Sequence, residues 1–207
     1  MPERLRKMKR LMDIFLSLIA LLISSPLWVI VPLLIKLEDG GPVFYAQKRI
    51  GKEQKIFCIW KFRSMIENAE KGLGPIQSSE NDPRITKIGS FLRSTALDEL
   101  PQLVSIFLGD MSFVGPRALR PGEKEALGDG TFKEISEFPG AEERLSVVPG
   151  LTGLAQIYGS HDTPRRNKFR YDLLYIKKKS FLLDLRLVVF SVLITLRGKW
   201  EHRGKKM

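Results

Sequence analysis

An almost unbroken apolar run over residues 14–35 constrains this chain more than any other feature. It is long enough to cross a bilayer, because a spanning helix needs about 20 apolar residues. Ser24, Ser25 and Pro26 interrupt it at its middle. A proline inside a helix lacks the backbone N–H and clashes with the preceding turn, so a kink is predicted there, and the serine hydroxyls can bond to the freed carbonyls. The run therefore predicts either a re-entrant hairpin, which enters one leaflet and returns, or a bent spanning helix.

Basic residues lie on both sides of this run. Those before it are Arg4, Arg6, Lys7, Lys9 and Arg10, and those after it include Lys36, Lys48, Arg49, Lys52, Lys55, Lys61 and Arg63. A spanning helix is expected to have an excess of Lys and Arg on its cytoplasmic side only. The similar flanks favour the re-entrant hairpin, with both ends cytoplasmic, and leave the spanning helix as the alternative. A signal peptide is disfavoured, because the run is too long and no Ala-x-Ala-like cleavage site follows it.

The formal net charge of +11 points to an anionic partner. In a membrane-attached chain this charge indicates adhesion to anionic lipid headgroups, at about 1 kcal/mol for each nearby Lys or Arg. Nucleic acid is disfavoured as a partner, because no recognition-helix, zinc-finger or single-strand-binding pattern is found. The single cysteine, Cys58, forbids an internal disulfide, agrees with a cytosolic face and is predicted to be buried. His161 and His202 are far apart in sequence, so neither a histidine zinc site nor Ser-His catalysis is expected.

The pattern along the chain predicts a membrane-associated segment over residues 1–38 and one cytoplasmic domain over residues 39–207. Period-two alternation predicts a β-hairpin, and apolar residues at helical spacing predict helices. The strands are 42–50 and 56–62, and the helices are 67–71, 85–95, 98–108, 165–179 and 181–196. Residues 123–145 are predicted to form a surface helix and loop. The predicted fold is mixed α/β and mostly helical, with a re-entrant helix hairpin, a small β-hairpin and amphipathic interfacial helices.

Two adjacent carboxylates, Asp98 and Glu99, precede Pro101 at the predicted start of a helix. Proline is tolerated in a first helical turn, and a helix N-terminus offers unpaired amides and partial positive charge that suit a phosphate. A carboxylate placed there is expected to stay ionised at neutral pH, as a nucleophile or a metal ligand requires. The simpler interpretation is a capping box between Thr95 and Asp98.

Nearby cations strengthen the chemical interpretation of this carboxylate pair. Arg117 follows a Gly-Pro turn, Arg93 precedes the pair, and Lys61 and Arg63 share one face of the second predicted strand. A guanidinium fork matches phosphate oxygens. A pyrophosphate-bearing substrate needs cations for its oxygens, carboxylates for a divalent ion and a nucleophile in line. For any single Arg or Lys, a solvated surface position is the alternative.

Short motifs follow one another in a specific order along the chain. They are Lys61-Phe-Arg63-Ser-Met65, Asp82-Pro-Arg84-Ile-Thr-Lys-Ile-Gly89, Leu97-Asp-Glu-Leu-Pro-Gln102, Gly109-Asp-Met-Ser112, Val114-Gly-Pro-Arg117, Pro149-Gly-Leu-Thr-Gly-Leu154, Tyr171-Asp172 and Leu183-Asp184-Leu185. Together they resemble the bacterial sugar transferases, the monotopic phosphoglycosyl transferases, over essentially the whole chain. The small size resembles a member reduced to its catalytic domain.

This resemblance implies the transfer of a sugar-1-phosphate from a UDP-sugar to undecaprenyl phosphate at the cytoplasmic face of the bacterial inner membrane. Asp98 matches the family's nucleophile, which would attack the β-phosphorus, release UMP and form a phosphosugar-enzyme intermediate. Glu99 matches its partner, which would assist Mg²⁺ binding or deprotonate the lipid phosphate. Arg117 matches a phosphate-orienting arginine that Arg93 would support. The product would begin the assembly of a glycoconjugate.

Other matched positions imply structural roles. Ser25 and Pro26 stand where the family breaks its re-entrant helix, and Asp172 and Asp184 match acids that would pair with the basic cluster. The chain departs from the common family pattern at Ala118, where many members have proline after the arginine, and at Ala155, where an aromatic residue is common. The resemblance leaves a homodimer open.

Two other functional classes compete with the transferase. A non-enzymatic membrane adaptor would use the basic surface to dock on anionic lipid or on a protein partner, but it leaves the Asp98-Glu99 pair unexplained. A polytopic lipid-phosphate transferase of another fold would need several spanning helices, whereas one convincing apolar run is present.

Overall fold

Two N-terminal helices meet at a sharp bend. The computed structural model describes residues 3–69, 82–126, 132–134, 137–159, 163–197 and 200. Helix α1 is Glu3–Ile23 and helix α2 is Leu27–Asp39, and the two are bent by 58°. At the break, Ser24 Oγ donates to the Leu21 carbonyl at 3.4 Å and accepts from Trp28 Nε1 at 3.3 Å. The predicted kink is confirmed, with a serine hydroxyl bonding to a carbonyl beside it.

The bent pair carries the membrane-like composition of the chain. Within the part of the chain that is described, neither helix alone is both long and apolar enough to span a bilayer, whereas the pair taken together has the required length and composition. Much of its surface is apolar and exposed, at Leu11, Phe15, Leu18, Leu22, Ile23, Val29, Ile30, Leu33 and Leu37. Exposed apolar residues in this number are typical of a surface covered by another phase or partner.

Polar contacts anchor α1 to the rest of the protein. Asp13 is buried and accepts hydrogen bonds from Ser112 Oγ and the Phe113 N–H, both at 3.0 Å. Arg10 donates to the carbonyls of Ile106 and Phe107, both at 2.6 Å. Because a buried carboxylate must be hydrogen-bonded, these contacts determine how α1 lies against the domain.

A β-hairpin follows α2, as predicted. Strands β1 (Phe44–Ile50) and β2 (Ile56–Phe62) pair antiparallel, with Phe44 opposite Phe62 and Ile50 opposite Ile56. Phe62 and Ile59 are buried, while Trp60 and Cys58 are exposed. The prediction that Cys58 is buried was wrong, because the face of β2 that carries it is exposed from Ile56 to Trp60 and is covered only at Phe62.

Helices α3 (Lys87–Ser94) and α4 (Gln102–Leu108) pack against this hairpin. Leu92 of α3 joins Phe62, Val31 and Ile35 in one buried cluster. A second cluster combines Ile59 with Leu103 and Ile106 of α4 and with Met111, and the end of α1 packs against it. Helix α3 begins after Thr86, whose side chain accepts from the Gly89 N–H at 2.9 Å. The predicted helix over 85–95 is thus confirmed with a later start.

The C-terminal half adds short strands and two long helices. Strand β3 (Ser112–Val114) pairs parallel with β6 (Gly150–Thr152), and β4 (Lys124–Ala126) pairs antiparallel with β5 (Phe132–Glu134). Helix α5 (Ala141–Leu145) lies between β5 and β6 along the chain. Three helices follow β6, namely α6 (Leu154–Tyr158), α7 (Arg165–Lys178) and α8 (Phe181–Leu196). Leu187 of α8 and Tyr175 of α7 are buried against Val114 and Leu154. The predicted helices over 165–179 and 181–196 are confirmed.

Two predicted segments were wrong. Within residues 123–145, the described parts form the antiparallel strands β4 and β5 and the five-residue helix α5, so the charged and poorly periodic sequence did not reveal a strand pair. Residues 67–69 form a turn instead of a helix, because Asn68 has a φ of 59°, which a right-handed helix does not accept. The rest of that predicted helix lies outside the described residues, as do His161 and His202.

Gly89 is required because the backbone of Ser64 lies too close to it for a side chain. A Cβ at this position would lie 2.0 Å from the Ser64 carbonyl oxygen. Gly89→Ala should therefore lower the free energy of unfolding by about 3 kcal/mol or more, since backbone cannot yield as a flexible side chain does. Thermal unfolding of the detergent-solubilised protein measures the loss. Ser90→Ala, at an exposed position of the same helix, is the control and should change stability little. An unchanged midpoint for Gly89→Ala would contradict the packing.

Candidate active site

The predicted acidic pair lies in a tight turn between two helices. Ala96 has a φ of 55°, and a 3-10 turn over Leu97–Glu99 follows it. The left-handed conformation of a non-glycine residue costs about 1 kcal/mol, so packing on both sides must hold it. The prediction of one helix over 98–108 was wrong at its start, because α4 begins at Gln102, after Pro101. Thr95 Oγ1 donates to the carbonyl of Phe91 at 2.8 Å, so it closes α3 and does not form the capping box.

Glu99 is the meeting point of two cations. Its Oε1 accepts from Lys61 Nζ and from Arg117 Nη2, each at 2.6 Å. Lys61 Nζ also lies 3.7 Å from Asp98 Oδ2. The carboxylates of the turn, a lysine of β2 and the arginine after β3 therefore form one cluster. This arrangement brings together four of the residues that the sequence predicted.

The two carboxyl groups have opposite pKa shifts. Burial raises the pKa of Asp98 to about 6, and Glu99 adds to the rise while Lys61 opposes it. For Glu99, burial opposes ionisation, but the charges of Arg117 and Lys61 outweigh it and hold the pKa well below its ordinary value. The expected ionisation at neutral pH is consistent with these directions, since a carboxyl with a pKa near 6 is about 90% ionised at pH 7. The direction for Asp98 is nevertheless opposite to the one expected from a helix N-terminus.

Asp98 and Glu99 differ in chemical character because their surroundings differ. A carboxylate that its surroundings stabilise poorly is the better nucleophile, and one that two cations neutralise is the better fixed charge. Asp98 is only 7% exposed, whereas the side chain of Arg117 is 48% exposed. Arg117 can therefore contact a ligand that approaches from solvent while it stays bonded to Glu99.

A buried ion pair holds the backbone of Arg117 in place. The carbonyl of Arg117 accepts a hydrogen bond from Arg144 Nη2, and Arg144 Nε donates to Asp172 Oδ2 at 2.8 Å. Both Arg144 and Asp172 are buried. Asp172 thus reaches the site indirectly, through Arg144, a residue that sequence reasoning did not single out.

Asp184 pairs with a different cation. Its Oδ2 accepts from Lys9 Nζ at 2.8 Å, and its Oδ1 accepts from the Tyr175 hydroxyl at 2.8 Å. Lys9 Nζ also donates to the Val114 carbonyl at 2.9 Å. Asp172 and Asp184 therefore do pair with basic residues, but with Arg144 and Lys9 and not with the predicted phosphate-binding cations.

Arg93 and Arg63 differ in their relation to the acidic pair. The charge of Arg93 lowers the pKa of Asp98, in the same direction as Lys61, so Arg93 acts on the site. Arg63 is ion-paired with Asp39 at the end of α2 and donates to the Pro42 carbonyl at 2.6 Å. These contacts join the α1–α2 pair to the β1–β2 hairpin and do not involve Asp98 or Glu99. Its proposed role in binding phosphate stays a prediction.

Arg49 is a further buried cation near the site that sequence reasoning did not assign to it. It is 8% exposed, and its Nη1 donates to the Ala118 carbonyl at 2.8 Å. The available signal was the alternation of β1, which places Arg49 on the opposite side of the strand from Lys48.

The described acidic pair fits a magnesium ion that is bound together with a phosphate ligand. Among the described residues, no three His, Cys, Asp or Glu side chains lie close enough together to hold a metal. Mg²⁺ is commonly bound by one or two carboxylates together with phosphate oxygens of a substrate. Asp98 and Glu99 can supply those carboxylates, so the site fits a metal that arrives with a phosphate ligand and not a metal held by the protein alone.

Comparison with known proteins agrees with a site for anionic phosphate chemistry. The bacterial sugar transferase family model matches residues 4–198. The chain belongs to this family and is a transferase. It is 42% identical over 198 residues to the exopolysaccharide production protein PSS of Rhizobium leguminosarum bv. phaseoli. The aligned region covers 93% of this chain and 97% of that protein.

Two longer relatives match this chain over part of their own length. Identity is 41% over 191 residues with the UDP-glucose:undecaprenyl-phosphate glucose-1-phosphate transferase of Klebsiella pneumoniae, covering 89% of this chain and 39% of that protein. It is 35% over 206 residues with the undecaprenyl-phosphate galactose phosphotransferase of Salmonella typhimurium, covering 93% and 41%. The chain thus spans about two fifths of these two enzymes and nearly all of the Rhizobium protein.

The raised pKa of Asp98 predicts a stability change of definite sign. A carboxyl whose folded pKa exceeds its unfolded pKa stabilises the fold at low pH and loses that contribution as the pH rises through about 6. At pH 8 the ionised Asp98 therefore destabilises the protein. Asp98→Asn should raise the free energy of unfolding at pH 8 by about 1–3 kcal/mol and should have little effect near pH 4.

Glu99→Gln is the matched control for this prediction. The pKa of Glu99 is lowered, so loss of its charge at pH 8 should destabilise the protein and leave Lys61 and Arg117 without their shared partner. Thermal unfolding in detergent with EDTA at both pH values measures the two variants. A lower midpoint for Asp98→Asn at pH 8 would show that its ion pairing outweighs its burial.

Proposed function

We propose that this chain transfers a sugar-1-phosphate from a UDP-sugar to undecaprenyl phosphate and releases UMP, through a covalent intermediate on Asp98. The observation that carries the proposal is the buried Asp98 beside a Glu99 that already binds Lys61 and Arg117. The named activities of the relatives support the donor and acceptor classes.

The first half-reaction uses Asp98 as the nucleophile. A carboxylate oxygen of Asp98 forms a bond to the β-phosphorus of the UDP-sugar, and the bond from that phosphorus to the bridging oxygen of UMP breaks. Burial and the adjacent Glu99 destabilise the Asp98 charge, which favours its attack on phosphorus. UMP leaves with the bonding electrons, and the phosphosugar stays on the enzyme as an acyl phosphate.

The second half-reaction regenerates the carboxylate. An oxygen of undecaprenyl phosphate attacks the same phosphorus, the bond to Asp98 breaks, and the undecaprenyl diphosphate sugar is formed. Arg117, which is half-exposed and anchored on Glu99, orients the phosphoryl oxygens in both steps, with Arg93 adding positive charge. Lys61 keeps Glu99 ionised and close to Asp98.

Asp98 and Glu99 would hold Mg²⁺ together with oxygens of the bound diphosphate. The ion would supply charge neutralisation for the diphosphate when it is bound. Glu99 is suited to binding the metal ion because its pKa is lowered, so it is ionised at neutral pH.

The lipid substrate requires a membrane location, which we place at the cytoplasmic face of the bacterial inner membrane. The exposed apolar residues of the α1–α2 pair would insert as a re-entrant hairpin, and the basic α7 would contact anionic headgroups. Helix α8 adds a further exposed apolar surface for the interface, including Leu182, Val189, Phe190 and Leu196. The product would serve as the first lipid-linked intermediate in polysaccharide assembly, consistent with the names of the exopolysaccharide relatives.

The reaction is tested by UMP release from UDP-sugars, with purified protein, Mg²⁺ and undecaprenyl phosphate. The names of the relatives suggest glucose, galactose and N-acetylgalactosamine donors. We expect release that needs the lipid and the metal, and a loss of at least about a thousandfold for Asp98→Asn, because no other group replaces the nucleophile. Glu143→Gln, an exposed acid on α5, is the control and should retain activity.

Mass spectrometry of the wild-type protein with donor alone should detect a phosphosugar adduct on Asp98. Normal turnover by Asp98→Asn would exclude Asp98 as the nucleophile. No release and no adduct with any donor of the panel would favour the membrane adaptor instead.

Membrane topology can be tested with a native cysteine. Cys58 is exposed, so a membrane-impermeant maleimide can report on the side that follows the apolar pair. Arg4→Cys in a Cys58→Ser background reports on the other side, since Arg4 is also exposed. A re-entrant hairpin predicts that both positions are protected in intact spheroplasts and labelled in inverted vesicles. Labelling of the two positions from opposite sides would establish the spanning helix.

A further inference from the structure

A small cleft lies directly beside Arg117. Its lining residues are Arg49, Ile59, Gln102, Met111, Arg117, Ala118 and Gly150. The cleft has space for a group about the size of one water molecule, which is also the size of a single phosphoryl oxygen. Because Arg117 also bonds to Glu99, the cleft adjoins the carboxylate cluster.

Two residues that line the cleft each have a buried donor without an acceptor among the described residues. Gln102 is 3% exposed, and its Nε2 has no hydrogen-bond partner in the described part of the chain. Arg49 is 8% exposed, and its Nε likewise lacks a partner among these residues. The Arg49 guanidinium is held in place, because Nη1 donates to the Ala118 carbonyl at 2.8 Å and Nη2 donates to Gln47 Oε1. A buried donor without an acceptor is costly, so two of them lining one cleft indicate a ligand oxygen.

The local charge favours an anionic oxygen over a neutral one. Burial, together with the positive charges of Arg117 and Arg120, lowers the pKa of Arg49 to about 10. Glu123 and Glu99 raise the pKa of Arg49, but each has a smaller effect than either arginine, so positive charge exceeds negative charge among these neighbours. An anionic ligand atom would relieve that excess.

Gln102 lies close to the acidic pair along the chain. Residues 97–99 form a 3-10 turn, and Leu100 and Pro101 keep right-handed helical angles up to the start of α4. Gln102 is the first residue of α4, and it shares the lining of the cleft with Arg117, which bonds to Glu99 beside Asp98. Its side chain therefore lines a cleft that adjoins the acidic pair.

We propose that this cleft is an oxyanion site, in which Gln102 Nε2 and Arg49 Nε donate to one non-bridging oxygen of the phosphoryl group under transfer. This inference rests on the proposed function and adds two catalytic donors to it. Bonds form and break as in the two half-reactions, and the cleft supplies no proton. Donors fixed in a dry site stabilise a phosphoryl oxygen most where its charge and position change in the transition state.

Gln102→Met tests the role of the amide, because methionine keeps the length and approximate volume of glutamine without its donor. We expect kcat for UMP release to fall about a hundredfold, while the KM for the UDP-sugar changes less than about threefold. Gln102→Glu should lose more, because it turns an anion toward the phosphoryl oxygen. Ser105→Ala is the matched control, since Ser105 is buried on the same helix but does not line the cleft.

Inhibition by orthovanadate with UMP provides a second readout. Vanadate mimics the five-coordinate phosphorus, so the inhibition constant should rise in Gln102→Met in parallel with the loss of kcat. Thermal unfolding confirms that each variant is folded, and Gln102→Glu remains informative if Gln102→Met unfolds.

Three results would overturn the oxyanion site. They are a wild-type kcat in folded Gln102→Met, a loss confined to KM, and an equal loss in Ser105→Ala. Failure of the proposed function would give a different result, because the wild type would then show no Asp98-dependent release of UMP. The oxyanion site would be excluded together with that function.

Discussion

The carboxylate of Glu99 is the interaction on which the site depends. One of its oxygens accepts from Lys61 on β2 and from Arg117 after β3, so three separate segments of the chain meet at one charge. Removal of that charge would leave two partly buried cations facing each other, which is far more costly than the loss of a surface ion pair. The same contact places Arg117 close to Asp98 and at the mouth of the cleft that contains Gln102.

A second set of ion pairs holds this cluster in place and connects it to the bent α1–α2 pair. Asp172 and Arg144 support the backbone of Arg117, while Asp184 binds Lys9 of α1. Both acids are buried, so each is strongly held to its partner by the absence of competing water. Separate buried pairs thereby set the position of α1 and the position of Arg117, and they join the bent helix pair to the site.

Regular patterns could be predicted where they were local. The β1–β2 hairpin, the helices α3, α7 and α8 and the break at Pro26 follow from alternation, helical spacing and the geometry of proline. The start of α4, the β4–β5 pair and the exposed side of β2 could not be predicted in the same way. Each depends on which neighbour a segment packs against, and short strands with charged residues carry no period that distinguishes them from loops.

The sequence by itself determined the family, the apolar pair with its break and the identity of the acidic dyad, because these are written in contiguous motifs. Only the tertiary structure decided which cations meet that dyad. It brought Lys61 and Arg117 to Glu99, assigned Arg63 to Asp39, and revealed Arg49, Arg144 and Gln102 as buried neighbours. The physical reason is that charge pairing and desolvation depend on distances across the fold, and no spacing in the sequence encodes those distances.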